Sequence, residues 1–465
     1  MKYLLNLSTV LGLILLFLSP LAAQEKEISE DFKQKTIEKL VFLMNEKYVF
    51  PEVAEKTGKH LEMQQKEGHF RSYSELETFA EALTESVQTI NKDKHMRIRP
   101  NPPYKAPEDS PERMIEEKLS MNSRMRSMNA GLKKVEKLEG NVGYLDLRGF
   151  AGINQARDLI DPAMRLLENS DAIIIDLRKN GGGDPSTVQY LCSFFFGEKV
   201  HLNSLYWREG DRTHEFWTLD KVGGEKIPDV PLFILTSDRT FSAAEEFSYN
   251  MQTRKRATLV GQTTGGGANP GGMMPLNDKL SVFIPTGRAI NPITKTNWEG
   301  VGVVPEVKVD QEQALEKAHE LAKEAAKAFS LKNDELYRNA LKNLFTSFED
   351  FRPATDDKDL KRNIEKCQKI GLLNEEDINY LGYEYLMRRK QPKLAEQIFK
   401  SNTQLYPKSA NAYDSYAESL AANGKWEASI KNYQKAVKLA EKNGDENLQM
   451  FRENLQKVKE QAEGK

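Results

Sequence analysis

The chain has 465 residues, more than one hydrophobic core serves, and at roughly 150 residues per domain it suits about three domains. Hydrophobic residues at 39% and charged residues at 29% exclude a disordered, collagen-like or polytopic membrane chain. Sixty-seven Lys and Arg against 69 Asp and Glu leave a formal net charge of −2, so no basic excess argues for nucleic acid, and two cysteines, Cys192 and Cys367, make neither a disulfide framework nor a good zinc site.

In chain order, Met1 and Lys2 precede an apolar run from Val10 to Leu18, followed by Ser19-Pro-Leu-Ala-Ala-Gln24. A positive start, a short apolar stretch and small residues predict a secretory signal peptide over 1–23, cleaved near Ala23, with an uncleaved signal anchor as the alternative. No cysteine follows the run, which excludes a lipoprotein anchor there. The mature chain is then expected in a periplasm or outside the cell, with no membrane span after cleavage.

Residues 24–100 read as a small helical subdomain. Ile37, Leu40, Val41 and Met44 form one stripe, and Leu76, Phe79, Leu83, Val87 and Ile90 another. Ser74-Glu-Leu-Glu77 matches a capping box and predicts a helix start there. A linker at 101–141 opens on a Pro-rich stretch, Asn101 to Pro111, that no helix continues through. From 142 to 310 short apolar runs alternate with helical ones. Strands are expected at 142–147, 172–177, 231–236, 257–260 and 280–284, and helices at 154–169, 186–196 and 242–253, which is an α/β layer with largely parallel strands. Beyond Val309 only helical sequence remains, a connector at 311–375 and then 376–465. In the last stretch Leu386 pairs with Leu420, Ala395 with Ser429 and Phe399 with Tyr433 at a spacing of 34, the period of tetratricopeptide units. A plain helical extension is the alternative.

Two boxes carry chemistry. Asp176-Leu-Arg-Lys-Asn-Gly-Gly-Gly183 sets three glycines after a buried strand, where backbone N–H groups can be aimed at a substrate oxygen. The same turn could be purely structural, and the absence of a following Lys-Ser/Thr makes a nucleotide site a poor fit. In Thr236-Ser-Asp-Arg-Thr-Phe-Ser-Ala-Ala-Glu-Glu246, Ser242 opens a helix whose free N–H groups and dipole suit a developing oxyanion. Taken alone it is more often an N-cap, with Glu245 completing a capping box. A serine nucleophile needs a base. Of six histidines (60, 69, 95, 201, 214 and 319), His95 stands apart in Asp93-Lys-His-Met-Arg-Ile98, where the helical subdomain hands over to the rest.

The ordered set of the Asp-x-His box at His95, Gly143-Tyr-Leu-Asp-Leu147, the triple-glycine box, Phe241-Ser-Ala-Ala-Glu245, Arg256-Ala-Thr-Leu-Val-Gly261 and Trp298-Glu-Gly-Val-Gly-Val-Val-Pro-Glu306 resembles the serine peptidase family of the tail-specific (C-terminal processing) proteases, the tricorn core and the interphotoreceptor retinoid-binding protein. The resemblance covers about residues 30–310. It implies a ClpP/crotonase-like α/β core between a helical cap and a tetratricopeptide-like tail. Tail-specific enzymes are similar but use a Ser–Lys dyad, with the lysine 25 residues after the serine, where Gly267 stands here. The 46 residues between His95 and Val142 also leave no room for a PDZ domain. The resemblance is therefore closest to the tricorn and retinoid-binding-protein branch.

Carried over box by box, it implies Ser242 as nucleophile, His95 as general base, Glu299 as supporting carboxylate, and the N–H groups of Gly182 and Ala243 as oxyanion hole. Glu299 could instead be an exposed loop carboxylate beside Trp298. In tricorn a serine precedes the histidine and helps orient that carboxylate. Lys94 stands there now, so the support is lost or comes from elsewhere. The expected reaction is hydrolysis of a peptide or protein substrate through a serine acyl-enzyme, without metal or organic cofactor, and with the tail free to recruit a protein partner. A non-catalytic ligand or peptide binder of the same fold, and a scaffold acting through its tail, are the alternatives.

Overall fold

The computed structural model describes residues 27–102, 111–353 and 358–463; the expected signal segment at 1–23 lies outside them. The chain divides into two compact units, 1–327 and 328–465.

The first unit begins with α1 (Glu30–Lys47), α2 (Pro51–Lys66), α3 (Leu76–Asn91), β1 (Ile98–Pro100), α4 (Pro111–Met128), β2 (Leu132–Leu138), β3 (Val142–Leu147), α5 (Ile153–Leu167) and β4 (Ala172–Asp176). It continues with α6 (Pro185–Ser193), β5 (His201–Trp207), β6 (Arg212–Trp217), β7 (Leu232–Thr236), α7 (Ala243–Thr253) and β8 (Thr258–Gly261). Last come β9 (Gly271–Pro275), β10 (Leu280–Pro285), β11 (Gly287–Ile290), β12 (Val307–Lys308) and the opening turns of α8 (Ala314–Glu349).

The main sheet has six strands in the order β12-β8-β7-β4-β3-β2, parallel throughout except for the antiparallel pair of β2 and β3. Its central strands β4 and β7 are buried along their whole length. Ala172-Ile-Ile-Ile-Asp176 is the near-continuous apolar run that a strand covered on both faces requires. One face is covered by Ala314, Ala318, Ala322 and Ala326 of α8, a stripe at helical spacing whose small side chains let the helix sit close to Ile174, Phe233 and Val260. All five strands expected from the sequence are present within a residue or so of their predicted bounds.

The N-terminal helices do not have a core of their own. Ile37, Leu40 and Met44 of α1 and Phe79, Leu83 and Val87 of α3 share one apolar cluster with Leu280, Val282 and Ile284 of β10. That strand belongs to a second, antiparallel sheet of order β1-β10-β9. β1 is the segment that follows His95, so burying the helical stripes also docks the histidine onto the α/β part. A third small sheet pairs β11, β5 and β6. The capping box expected at Ser74 does not form: the N-cap of α3 is Glu75, without a side-chain hydrogen bond. Ser74 instead uses its carbonyl to accept from Ile28 N–H at 3.0 Å, which holds it one residue short of the helix.

The triple-glycine turn is a tight crossing. Phe150 N–H donates to Gly182 O at 2.9 Å and Asp184 N–H to Phe150 O at 2.8 Å. Gly183 has φ +142°, and a Cβ there would lie 1.9 Å from Phe150 O. Gly183→Ala is therefore expected to destabilise the fold by about 3 kcal/mol or more, read as a drop in urea midpoint, because both the backbone conformation and the space are denied to a side chain.

The second unit is all-helical: the remainder of α8, α9 (Lys358–Lys369), α10 (Glu375–Tyr383) running into a π-turn at Glu384–Arg388, α11 (Pro392–Leu405), α12 (Ala410–Ala422), α13 (Trp426–Asn443) and α14 (Leu448–Glu463). Leu386, Ala395, Phe399, Leu420, Ser429 and Tyr433, the six residues paired at 34-residue spacing, are all buried. Gly424, at φ +73°, makes the turn from α12 to α13. Cys192 and Cys367 are each free and buried.

Candidate active site

The turn between β7 and α7 is fixed by hydrogen bonds to the glycine box. Ser237 Oγ donates to Arg178 O at 2.6 Å, Thr240 Oγ1 to Leu177 O at 2.8 Å and Phe241 N–H to Asn180 O at 3.0 Å. Upstream, the Asp176 carboxylate receives the Arg178 guanidinium at 2.7–2.9 Å and the Tyr144 hydroxyl at 2.8 Å, which locks the start of that box. Ser242 follows at φ 55° and ψ −121°, a conformation that costs a non-glycine residue about 1–3 kcal/mol and persists only where the surroundings impose it. It aims the serine out of the strand-to-helix elbow. The next N–H, that of Ala243, heads α7 and makes no hydrogen bond among the described residues.

Gly182 packs directly on this elbow. A Cβ at 182 would stand 2.8 Å from Ser242 Cβ and 3.0 Å from Ala243 N. Its own N–H, however, donates to Asn180 Oδ1 at 2.9 Å. Of the two expected oxyanion donors, Ala243 is thus open in this conformation and Gly182 is engaged.

Glu245 does more than cap. Its fully buried carboxylate accepts from Ser242 N–H at 2.9 Å, Gly267 N–H at 2.8 Å, Gly266 N–H at 2.6 Å and Thr264 Oγ1 at 2.5 Å. The loop at 264–267 is thereby tied to the helix that Ser242 opens.

That loop meets His95. α3 ends at Lys92 in the left-handed conformation, and the buried Asp93 then turns the chain by accepting the His95 N–H on Oδ1 at 3.1 Å. Asp93 Oδ2 accepts from Tyr48 Oη at 3.2 Å and from Asn269 Nδ2 at 2.9 Å. The imidazole lies between Phe241 and Phe283, with ring centroids 4.6 and 5.6 Å away. Burial, helped by the nearby Arg97 charge, pushes His95 down to about 4, so the ring is neutral at physiological pH.

Glu299 is half-buried rather than an exposed loop carboxylate. Oε2 accepts from Ala268 N–H at 2.5 Å and Asn269 N–H at 3.0 Å, while Oε1 is buried without a partner. Lys94 turns away and donates to Gly265 O at 2.7 Å, so the hydrogen bonds that hold the Glu299 carboxylate come from the two backbone amides. Burial first, then the charge of Asp93, raises Glu299 to about 8. One ligand-capable atom from each of Asp93, His95 and Glu299 lies within 4.8 Å of the others, and His95 Nδ1, like Glu299 Oε1, has no hydrogen-bond partner. The spacing would admit a cation, but both Asp93 oxygens already accept hydrogen bonds, which weakens the set as metal ligands.

The structure brings Glu299 to His95 and Gly182 to Ser242. It joins the two pairs through Phe241, whose ring packs on His95 and whose backbone precedes Ser242. No hydrogen bond links Ser242 Oγ to His95, or His95 to Glu299, among the described residues. The sequence reading passed over Asp93, Asn180, Glu245 and Asn269 as site residues. Asp93 and Asn180 stood inside quoted boxes, Glu245 was read only as a cap, and nothing in the sequence marks Asn269.

Residues 141–309 match the model for peptidase family S41, and residues 30–135 match the model described as the N-terminal domain of Peptidase_S41 in eukaryotic IRBP. The carboxyl-terminal-processing protease of Synechocystis sp. is 28% identical over 172 residues, 37% of this chain and 38% of that protein. The carboxy-terminal-processing protease of Bartonella bacilliformis is 22% identical over 180 residues, covering 38% and 40% respectively. The chain thus spans well under half the length of these curated relatives. Among solved structures, the photosystem II D1 C-terminal processing protease (TM-score 0.37, 14% identity, 61% of this chain and 94% of that one) and the tricorn protease (TM-score 0.37, 14% identity, 64% and 37%) are similar. With its N-terminal helices, its parallel-sheet core and the boxes around Ser242 and His95 in family order, the chain belongs to peptidase family S41.

Proposed function

We propose that the protein is a serine-type peptidase in which Ser242 attacks the scissile carbonyl, His95 takes its proton and Glu299 supports the imidazole. The single observation that carries this reading is the Ser242 elbow: a serine held at φ 55° at the head of α7, with the Ala243 N–H beside it left open. Gly267 supports it. A side chain at that position would point at Phe241 Cζ (2.2 Å) and His95 Cε1 (2.8 Å), so the place from which a Ser–Lys enzyme would deliver its lysine is here filled by the aromatic ring and the histidine.

In the reaction the Ser242 hydroxyl proton passes to neutral His95 as the C–O bond forms. The imidazolium returns it to the leaving amine as the peptide C–N bond breaks. Water, deprotonated by the same histidine, then attacks the ester carbonyl, and the histidine gives that proton to Ser242 Oγ as the ester C–O bond breaks and the acid leaves. The oxyanion is met by the Ala243 N–H. The Gly182 N–H joins it once it leaves Asn180 Oδ1, a change the neighbouring glycines allow.

The experiment is treatment of the purified protein with a fluorophosphonate probe, which should give one adduct, mapped by mass spectrometry to Ser242. A folded protein that resists the probe would favour a ligand binder or a scaffold. We read the apolar N-terminal run as an export signal, placing the enzyme in a periplasm or outside the cell; among the described residues no helix is long and apolar enough to cross a membrane. The second unit we read as tetratricopeptide-like and available to a protein partner, on the strength of its 34-residue pairing.

The pH profile follows from the two shifted groups. His95, depressed to about 4, stays competent as a base throughout the neutral range, whereas Glu299, raised to about 8, is neutral at pH 7 and ionises as the pH rises. A negative Glu299 stabilises the imidazolium of the transition state. kcat is therefore expected to climb through about pH 8, and in Glu299→Gln this alkaline rise should vanish while activity falls about 10²-fold or more.

A further inference from the structure

Beside His95 lies a cavity of about 410 Å3 whose floor is His95, Phe241 and Phe283 and whose rim carries Lys94, Arg97, Arg99 and Arg239 against one carboxylate, Asp238. Among the described residues the rim cations are not spent on ion pairs. Lys94 donates to Gly265 O, Arg97 Nε to Lys94 O at 3.1 Å and an Arg239 guanidinium nitrogen to Gln311 Oε1 at 3.5 Å, all neutral acceptors. That four like charges gather at one mouth stands out in a chain whose net charge is −2. Arg97 is close enough to His95 for its charge to be felt there.

Arg97 and Arg99 also border a second cavity, of about 440 Å3, with Glu77, Glu81 and Glu85 of α3 on its wall. Those carboxylates make no ion pair with either arginine among the described residues, so they temper the positive field without cancelling it, and at the first cavity Asp238 is the one carboxylate set against Lys94 and Arg239.

We infer that this rim selects peptide substrates with acidic side chains next to the scissile bond, whose carboxylates are drawn to Lys94, Arg97 and Arg239 while the neighbouring apolar side chains rest on Phe241 and Phe283. The inference rests on the serine-peptidase reading of the same site. Cationic walls around a cleft steer and hold anionic partners, and exposed guanidinium groups bind carboxylates through paired N–H donors. Several such exposed contacts together give about a tenfold preference, which salt screens.

The test uses fluorescein-labelled decapeptides with Glu at three positions, and the same peptides with Gln, each made with a free and with an amidated C-terminus. Binding is read by anisotropy on the Ser242→Ala protein, so the result does not depend on turnover. The Glu peptides should bind about tenfold more tightly than the Gln peptides whether or not the C-terminus is amidated. The preference should shrink to less than twofold in 0.5 M salt (about a 4 Å screening length) and in the Arg97→Gln/Arg239→Gln variant of that protein. Equal binding of Glu and Gln peptides overturns the inference, as does a preference that follows only the free C-terminal carboxylate. If Glu and Gln peptides bind equally while wild type still labels at Ser242, the charge selection alone is wrong. If the Glu preference holds but Ser242 never labels, the peptidase reading alone falls.

Discussion

Ser242→Ala is expected to remove peptide hydrolysis almost completely, by about 10⁴–10⁶ in kcat, and to remove fluorophosphonate labelling altogether. In the proposed mechanism the hydroxyl oxygen is the atom that forms the acyl-enzyme, and among the described residues no other serine has a positive φ. The fold should survive, because Ser242 is only partly buried and its N–H bond to Glu245 is made by the backbone. A second variant separates chemistry from strain. Ser242→Gly should be equally inactive but more stable than Ser242→Ala by about 1 kcal/mol, since φ 55° costs glycine little. Thermal unfolding of the pair measures that difference. If Ser242→Ala kept its labelling, Ser242 would be excluded as the nucleophile.

Gly267→Ala is expected to cost about 10²-fold or more in kcat/KM while the protein stays folded. A Cβ at 267 would lie 2.2 and 2.5 Å from Phe241 ring carbons and 2.8 Å from His95 Cε1, closer than any real contact, so the histidine and the ring must both move. A misplacement of about 1 Å in a base is enough for a loss of this order. The backbone of Gly267 does not itself require glycine, since its φ lies outside the left-handed region, so the effect is steric. Gly265→Ala is the control that assigns the cause: its Cβ would strike the Phe241 ring at 2.6 Å and not His95. A large loss at 267 with a smaller one at 265 points to His95, equal losses point to Phe241, and full activity in Gly267→Ala would remove His95 from the mechanism as proposed. Gly272→Ala, with nothing within 4 Å of the added methyl, should be silent.

Much of the core was legible because its signals are local. A strand buried on both faces must be written as a continuous apolar run, and 172–176 and 232–236 are. A helix that follows a strand at a functional turn must start with small and capping residues, and Phe241-Ser-Ala-Ala-Glu245 does. The strands β1, β2, β5, β6, β9, β11 and β12 went unread, since all but β12 pair antiparallel and such short strands carry a weaker and partly polar pattern that becomes clear only when the partner strand is in place.

The site shows the same division. Ser242, His95, Glu299, Gly182 and Ala243 were named from ordered boxes, yet the spacing of those boxes cannot tell whether a carboxylate faces a histidine, or whether an N–H is free. Asn180, by taking the Gly182 N–H, and Asp93, by raising Glu299, alter what the named residues can do, and both effects act through space.

What the amino-acid sequence determines by itself is the order of the layers, the strand-to-helix elbow and the chemical types available for catalysis, because these follow from hydrophobic period, capping and side-chain identity along a few consecutive residues. What only the tertiary structure decided is that the helical cap has no separate core and is sealed onto β10. It likewise decided that His95 meets Glu299 and Asp93 in one partly buried cluster, and that four cations without ion pairs among the described residues surround the cavity beside it. Burial and electrostatic coupling depend on which groups meet after folding, and residues 93 and 299 meet only because the apolar stripes of α1 and α3 find their partners some two hundred positions away.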